Sequence, residues 1–213
     1  MLGNFVIFGD SYSTYEGYVP DGYAPYYATR QLEGAHPVGA MDLEDTWWRR
    51  ILRKTGATLV RNDSWSGSTI SYTGYQGDCS ETSSFIKRYR NLKAEGFFEK
   101  NKIDTVIVLG GTNDSWVPSP LGEIKFSNWE ESDLFSVRPA ITYFMSNLKD
   151  SLPNARIIFV ANCDIKEEII ECLKISAEHY GVEFIALHDI TKEDGHPTSV
   201  GMEELCNQII AHL

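Results

Sequence analysis

Thr105-Val106-Ile107-Val108-Leu109, closed at once by Gly110-Gly111, is the stretch on which the fold turns. β-Branched residues dominate it and no polar residue alternates with them, which marks a strand covered on both faces. The run is too short for a helix, and the glycine pair ends it sharply. Similar runs lie on either side: Phe5-Val6-Ile7-Phe8, Thr58-Leu59-Val60 ending at Arg61-Asn62, Arg156-Ile157-Ile158-Phe159-Val160, and Val182-Glu183-Phe184-Ile185-Ala186. Between them the apolar spacing becomes helical: Thr46–Lys54 closed by Gly56, Phe85–Ala94, Val137–Leu152 and Ile165–Tyr180. A last helix follows His196-Pro197-Thr198 and carries Val200, Met202, Leu205, Ile209 and Ile210. Strands alternating with helices build βαβ units, so an α/β protein is expected: a three-layer α/β/α sandwich around a five-stranded parallel sheet. With no linker, internal repeat or low-complexity tract, residues 1–213 are expected to form one domain.

Composition limits what such a domain does. At 213 residues the chain can bury roughly 70% of its unfolded surface. A net charge of −11 disfavours nucleic acid and anionic membranes as partners. The four cysteines, 79, 163, 172 and 206, form no C-x-x-C pair and read as small buried hydrophobes rather than disulfides or zinc ligands. No His/Asp cluster has metal-ligand spacing, and no glycine-rich phosphate loop is present, so neither a metal nor another cofactor is expected. The chain enters its first strand almost immediately, without a basic segment or an apolar stretch of leader length, so a cytoplasmic location is expected. A homodimer is the default oligomer on frequency alone.

Four short segments carry the chemistry: Gly9-Asp10-Ser11-Tyr12, Asn62-Asp63-Ser64-Trp65-Ser66-Gly67-Ser68, Gly110-Gly111-Thr112-Asn113-Asp114, and Asp194-Gly195-His196-Pro197. Each follows a strand, and in an open parallel sheet ligands bind outside the carboxyl ends of the strands. One rim therefore gathers Ser11, Gly67, Asn113 and His196. A serine hydroxyl is a weak nucleophile that needs an adjacent base, and histidine exchanges protons near neutral pH. Taken singly, Ser11 also suits a helix N-cap, Gly67 a turn, Asn113 a left-handed loop position and His196 a helix start. The G-x-S-x-G elbow of another serine-hydrolase class is absent.

In this order and at these separations the four segments resemble the SGNH hydrolases, also called the GDSL lipase/esterase family, from Phe5 to Ala211. The resemblance implies a flavodoxin-like sheet with Ser11 as nucleophile and His196 as general base. It also implies an oxyanion hole made by the Ser11 and Gly67 N–H groups and the Asn113 side chain. In the family pattern an Asp three residues before the histidine orients the imidazole. Here that position holds Glu193, and Asp194 stands two before, so one of these two acids is expected to act. Asp189, a backbone carbonyl or a Ser-His dyad are the alternatives.

Two aromatic-rich stretches, Tyr12–Leu43 and Asp114–Asp133, are read as long loops that either wall a substrate site or fill their own cores. Trp65 and Trp116 stand beside the oxyanion residues and are the expected wall. Asp114 either bonds substrate hydroxyls or fixes a turn. The expected partner is a small-molecule ester, with an acetyl group on a carbohydrate preferred over a lipid because no lid-like apolar helix or membrane anchor is visible. The alternative function is a non-catalytic small-molecule or carbohydrate binding module on the same fold.

Overall fold

The computed structural model describes residues 2–213. Its five long strands are β1 (Asn4–Gly9), β2 (Thr58–Ser64), β3 (Thr105–Leu109), β4 (Arg156–Ala161) and β5 (Glu183–Ala186). They pair in parallel in the order β2-β1-β3-β4-β5. Side chains on a strand alternate between faces, and the two cores divide accordingly. Val6, Phe8, Val106, Val108, Ile157 and Phe159 face one core, whereas Phe5, Ile7, Ile107, Leu109, Ile158 and Val160 face the other. Helix α1 (Trp47–Thr55) and the C-terminal α5 (Ser199–His212) cover the second face. Helices α2 (Phe85–Ala94), α3 (Val137–Ser151) and α4 (Glu167–Tyr180) cover the first. The expected three-layer α/β/α sandwich is the observed fold.

Sheet order reverses direction between β1 and β3, so a crevice opens at the carboxyl ends of those two strands. The turn after β1 carries Ser11, and the turn after β3 carries Asn113. The same edge receives the loop after β2, which carries Gly67.

Two segments depart from the expectation, strand β2 and the Asp114–Asp133 stretch, whereas Tyr12–Leu43 is the long loop expected. Strand β2 continues through Asn62, Asp63 and Ser64, which pair with Ile7, Phe8 and Gly9. Polar residues extend a buried strand because each has a partner: Asn62 Nδ2 donates to the Ser13 carbonyl at 2.7 Å, Ser64 Oγ donates to Asn62 Oδ1 at 2.6 Å, and Asp63 accepts from Arg61 and Arg88. The Tyr12–Leu43 stretch is irregular but packed, with Tyr12, Tyr15, Tyr26 and Tyr27 buried. The Asp114–Asp133 stretch begins inside a short helix, Thr112–Trp116, and ends in a 3₁₀ turn, Glu131–Phe135. Two small hairpins also stand at the rim, Thr73–Gly74 with Gly77–Asp78 and Lys192–Glu193 with His196–Pro197. Among the described residues no helix is long and apolar enough to cross a membrane.

Candidate active site

Ser11 opens a single 3₁₀ turn, Ser11–Ser13. The cap of that turn is Asp10, whose Oδ1 accepts the Tyr12 N–H at 3.1 Å, so the Ser11 hydroxyl is not consumed in capping. It lies 3.0 Å from His196 Nε2 instead. On the far side of the ring, His196 Nδ1 is 3.0 Å from the backbone carbonyl of Asp194. A carbonyl oxygen can only accept, so Nδ1 carries the proton of that bond. In the neutral imidazole Nε2 is then a lone-pair acceptor, and the Ser11 hydroxyl donates to it.

Neither expected acid offers its carboxylate to the imidazole. The Glu193 and Asp194 side chains are both exposed and make no hydrogen bond among the described residues. The hairpin accounts for this: Asp194 occupies its turn with a φ of 47°, which aims the carbonyl at the ring and the carboxylate outward. Of the two acids, Asp194 supplies the contact, but through its main chain. Asp189, the reserve acid, bonds only its neighbour His188 among the described residues, at the surface.

Aromatic rings enclose the imidazole. Tyr26 stacks on it at a centroid distance of 3.7 Å and 7° between planes, and Trp116 meets it edge-on at 6.2 Å. Gly195 lets Trp116 come this close, because a Cβ there would stand 3.0 Å from the indole and φ is 73°. The loss of water under these rings lowers the His196 pKa below the usual histidine value, and the Asp194 carbonyl and charge offset this only in part. Two tyrosines of the long Tyr12–Leu43 segment hold the histidine hairpin from below. Tyr12 donates to the Gly195 carbonyl, and Tyr27 donates to the Pro197 carbonyl at 2.9 Å. Tyr12, Tyr26 and Tyr27 are thus a scaffold for His196 rather than a substrate wall. Regularly spaced carbonyls downstream leave no sequence signal for such a role.

Across the crevice, Gly67 has a φ of 76°, a conformation glycine adopts without strain, and its N–H has no acceptor among the described residues. The Ser11 N–H is likewise free of any acceptor among them. Asn113 is buried in the Thr112–Trp116 turn, with Nδ2 donating to the Ser68 carbonyl at 2.9 Å and Oδ1 accepting from the Tyr75 hydroxyl at 3.1 Å. Its second amide proton remains for a ligand.

Asp114 turns inward, fully buried, and accepts the Ile70 and Ser71 N–H groups at 2.8 and 3.0 Å. It therefore fixes the loop after β2 and cannot line a substrate wall. Trp116 is exposed beside His196, and Trp65 packs against Tyr23 in a tilted pair with centroids 4.4 Å apart. Trp65, Gly67 and Tyr75 border a groove of about 520 Å³.

Sequence reasoning passed over Arg88, which looks like a surface cation of α2 but is fully buried. It donates to the Asp63 carbonyl and, at 3.2 Å, to Asp63 Oδ2. It also reaches the Gly9 carbonyl at 3.2 Å, Ser68 Oγ at 3.1 Å and the Ser83 carbonyl at 3.0 Å. The turn carrying Ser11 and the loop carrying Gly67 are thereby tied to one guanidinium. Asp10, buried beneath Ser11, has its pKa pushed up to about 7 by desolvation. Cys79, Cys172 and Cys206 are buried and all four cysteines are free. No group of three or more His, Cys, Asp or Glu among the described residues could hold a metal ion.

An ordered serine–histidine pair with unspent N–H donors opposite it, at the rim of a 2-1-3-4-5 sheet, is the architecture of a hydrolase. The sequence matches the model of the GDSL-like lipase/acylhydrolase family over residues 3–213, and the chain belongs to that family. It is accordingly an enzyme acting on ester bonds. The crystal structure of a protein assigned as a GDSL-like lipase from Bacteroides uniformis is 38% identical, covers 100% of this chain and 95% of its own, and superposes with a TM-score of 0.89. Its counterpart from Bacteroides ovatus is 36% identical, with 100% and 98% coverage and a TM-score of 0.88. An acetyl xylan esterase from the rumen bacterium Butyrivibrio proteoclasticus matches over 99% of this chain and 63% of its own at 20% identity and a TM-score of 0.65, a likeness of fold. No curated protein matches the sequence.

Proposed function

We propose that the protein is a serine esterase that works through an acyl-enzyme on Ser11, with His196 as general base. The observation that carries this reading is the 3.0 Å approach of Ser11 Oγ to His196 Nε2 while Nδ1 is committed to the Asp194 carbonyl. In that tautomer the imidazole takes the Ser11 proton as Oγ attacks the ester carbonyl. Negative charge develops on the carbonyl oxygen, and the N–H groups of Ser11 and Gly67 with the free Asn113 amide proton are the donors offered to it. Collapse of the tetrahedral intermediate breaks the ester C–O bond, and the imidazolium returns its proton to the leaving alkoxide. Water, deprotonated by the same imidazole, then attacks the acyl-Ser11 carbonyl, the acyl–Oγ bond breaks to release the acid, and the imidazolium returns its proton to Ser11 Oγ. The Asp194 carbonyl holds the ring and its tautomer without contributing a full negative charge.

The substrate class we propose is a small acyl ester, with acetyl on a carbohydrate preferred. The groove bordered by Trp65 and Tyr75 supports this, since aromatic faces stack on sugar rings. The fold likeness to an acetyl xylan esterase is an analogy in the same direction. Hydrolysis of p-nitrophenyl acetate and butyrate by the protein and by Ser11→Ala, with fluorophosphonate labelling read by intact mass, tests the reading. Turnover and label that both vanish in folded Ser11→Ala, with acetate favoured over butyrate, are expected. Turnover retained in that variant would remove Ser11 as nucleophile. Absence of both in the wild-type protein would instead favour the binding-module alternative.

A further inference from the structure

Tyr75 stands half-exposed above the crevice. It sits between Gly74 and Gly77 at the tip of the small hairpin over the rim, and its relative exposure is 55%. Yet it touches both candidate oxyanion donors outside the Ser11 turn. Its hydroxyl donates to Asn113 Oδ1, and its ring faces Gly67, where an added Cβ would meet it at 3.8 Å. The Asn113 amide has one way round: turned over, Oδ1 would oppose the Ser68 carbonyl, acceptor against acceptor. In the observed orientation Nδ2 spends one proton on Ser68 and keeps the other, and the phenol holds the opposite end of the group.

We propose that Tyr75 is a positioning residue that fixes the Asn113 carboxamide for oxyanion binding. The inference rests on the oxyanion role of Asn113 proposed above. Because the same ring borders the groove, a substrate group filling that groove packs against the residue that orients the amide. Contacts made there act on kcat as well as on KM.

The test is a double-mutant cycle on p-nitrophenyl acetate with Tyr75→Phe, Asn113→Ala and the double variant, alongside the affinity of a small boronic acid that forms a tetrahedral adduct with serine. Tyr75→Phe keeps the ring and removes only the hydroxyl, and thermal melting verifies the fold of each variant. Expected are a roughly tenfold fall in kcat for Tyr75→Phe with KM within about twofold, the loss of one well-placed hydrogen bond in the transition state. Boronate affinity should fall in parallel. Asn113→Ala should lose about 10²- to 10³-fold, and the double variant no more than Asn113→Ala alone. Full kcat in Tyr75→Phe would overturn the positioning role, as would a further tenfold loss in the double variant. Full kcat in Asn113→Ala would overturn the oxyanion reading itself, and the Tyr75 inference with it.

Discussion

Replacing Asp194 by asparagine should leave the esterase nearly intact, although an acid at that place in a serine–histidine site is commonly indispensable. The carboxylate is exposed and bonds nothing among the described residues, while the carbonyl of the same residue accepts the His196 Nδ1–H at 3.0 Å. An exposed charge contributes about 0.2–1 kcal/mol to a neighbouring ion, here the imidazolium formed during attack. That energy is worth roughly a 1.5- to 5-fold change in kcat/KM. An orienting carboxylate, by contrast, is worth about 10⁴ when replaced by its amide. The backbone demands something else: φ at Asp194 is 47°, a conformation that asparagine and glycine adopt easily and β-branched residues do not. The expected series is therefore Asp194→Asn and Asp194→Gly within about fivefold of wild type, and Asp194→Val much lower because the carbonyl is displaced. Glu193→Gln should be neutral. Initial rates with p-nitrophenyl acetate near pH 8, where the imidazole is unprotonated, decide the matter. A loss beyond about 10²-fold in Asp194→Asn, with the fold preserved, would refute the argument that the carbonyl orients the ring.

Two further expectations concern pH. Burial lowers the His196 pKa, so the neutral, proton-accepting form persists below the usual histidine range, and the acidic limb of kcat/KM should fall at a pH below about 6.5. Asp194→Asn, which removes a nearby negative charge, should move that limb lower still, and a limb above 7 would contradict both statements. Asp10 has the opposite disposition: its pKa rises from 3.8 to about 7, so the folded state binds a proton that the unfolded chain has lost. Its contribution to stability is complete below pH 4 and is lost as pH rises through 7, at up to ~1.4 kcal/mol per pH unit. Asp10→Asn should accordingly raise the urea midpoint relative to wild type at pH 8 and not at pH 4. Equal differences at both pH values would show that Asp10 ionises normally in the fold.

The sheet was legible because its strands are unbroken apolar runs, and β3 is bounded at Thr105 and Leu109 as the letters suggest. Helix α2 spans Phe85–Ala94 as read, and α1, α3, α4 and α5 begin and end within two residues of their patterns. The rim position of Ser11, Gly67, Asn113 and His196 followed from strand ends alone. What escaped has a common physical origin. Asn62, Asp63 and Ser64 are strand residues whose polarity is met by side-chain partners from distant segments, which no local pattern records. Arg88 sits among Lys87 and Arg90 with nothing local to distinguish a buried cation from a solvated one. The group that orients His196 is a main-chain oxygen, and every residue has one. Only the left-handed turn at Asp194-Gly195 selects it, and that turn is a property of the hairpin.

The single guanidinium of Arg88 has a consequence for how the protein loses activity. It holds the Gly9 carbonyl, the Asp63 carbonyl and the Ser68 hydroxyl from a helix that contributes no group to the crevice. If α2 lifts from the sheet, these acceptors lose their donor together, and the Ser11 turn and the Gly67 loop lose their common anchor in one event. Inactivation on heating should then follow the detachment of a helix on the far side of the sheet's rim. The half-life of the esterase becomes a clock for that detachment, and its length is set by packing around Phe85, Tyr89 and Leu92 rather than by anything a substrate touches.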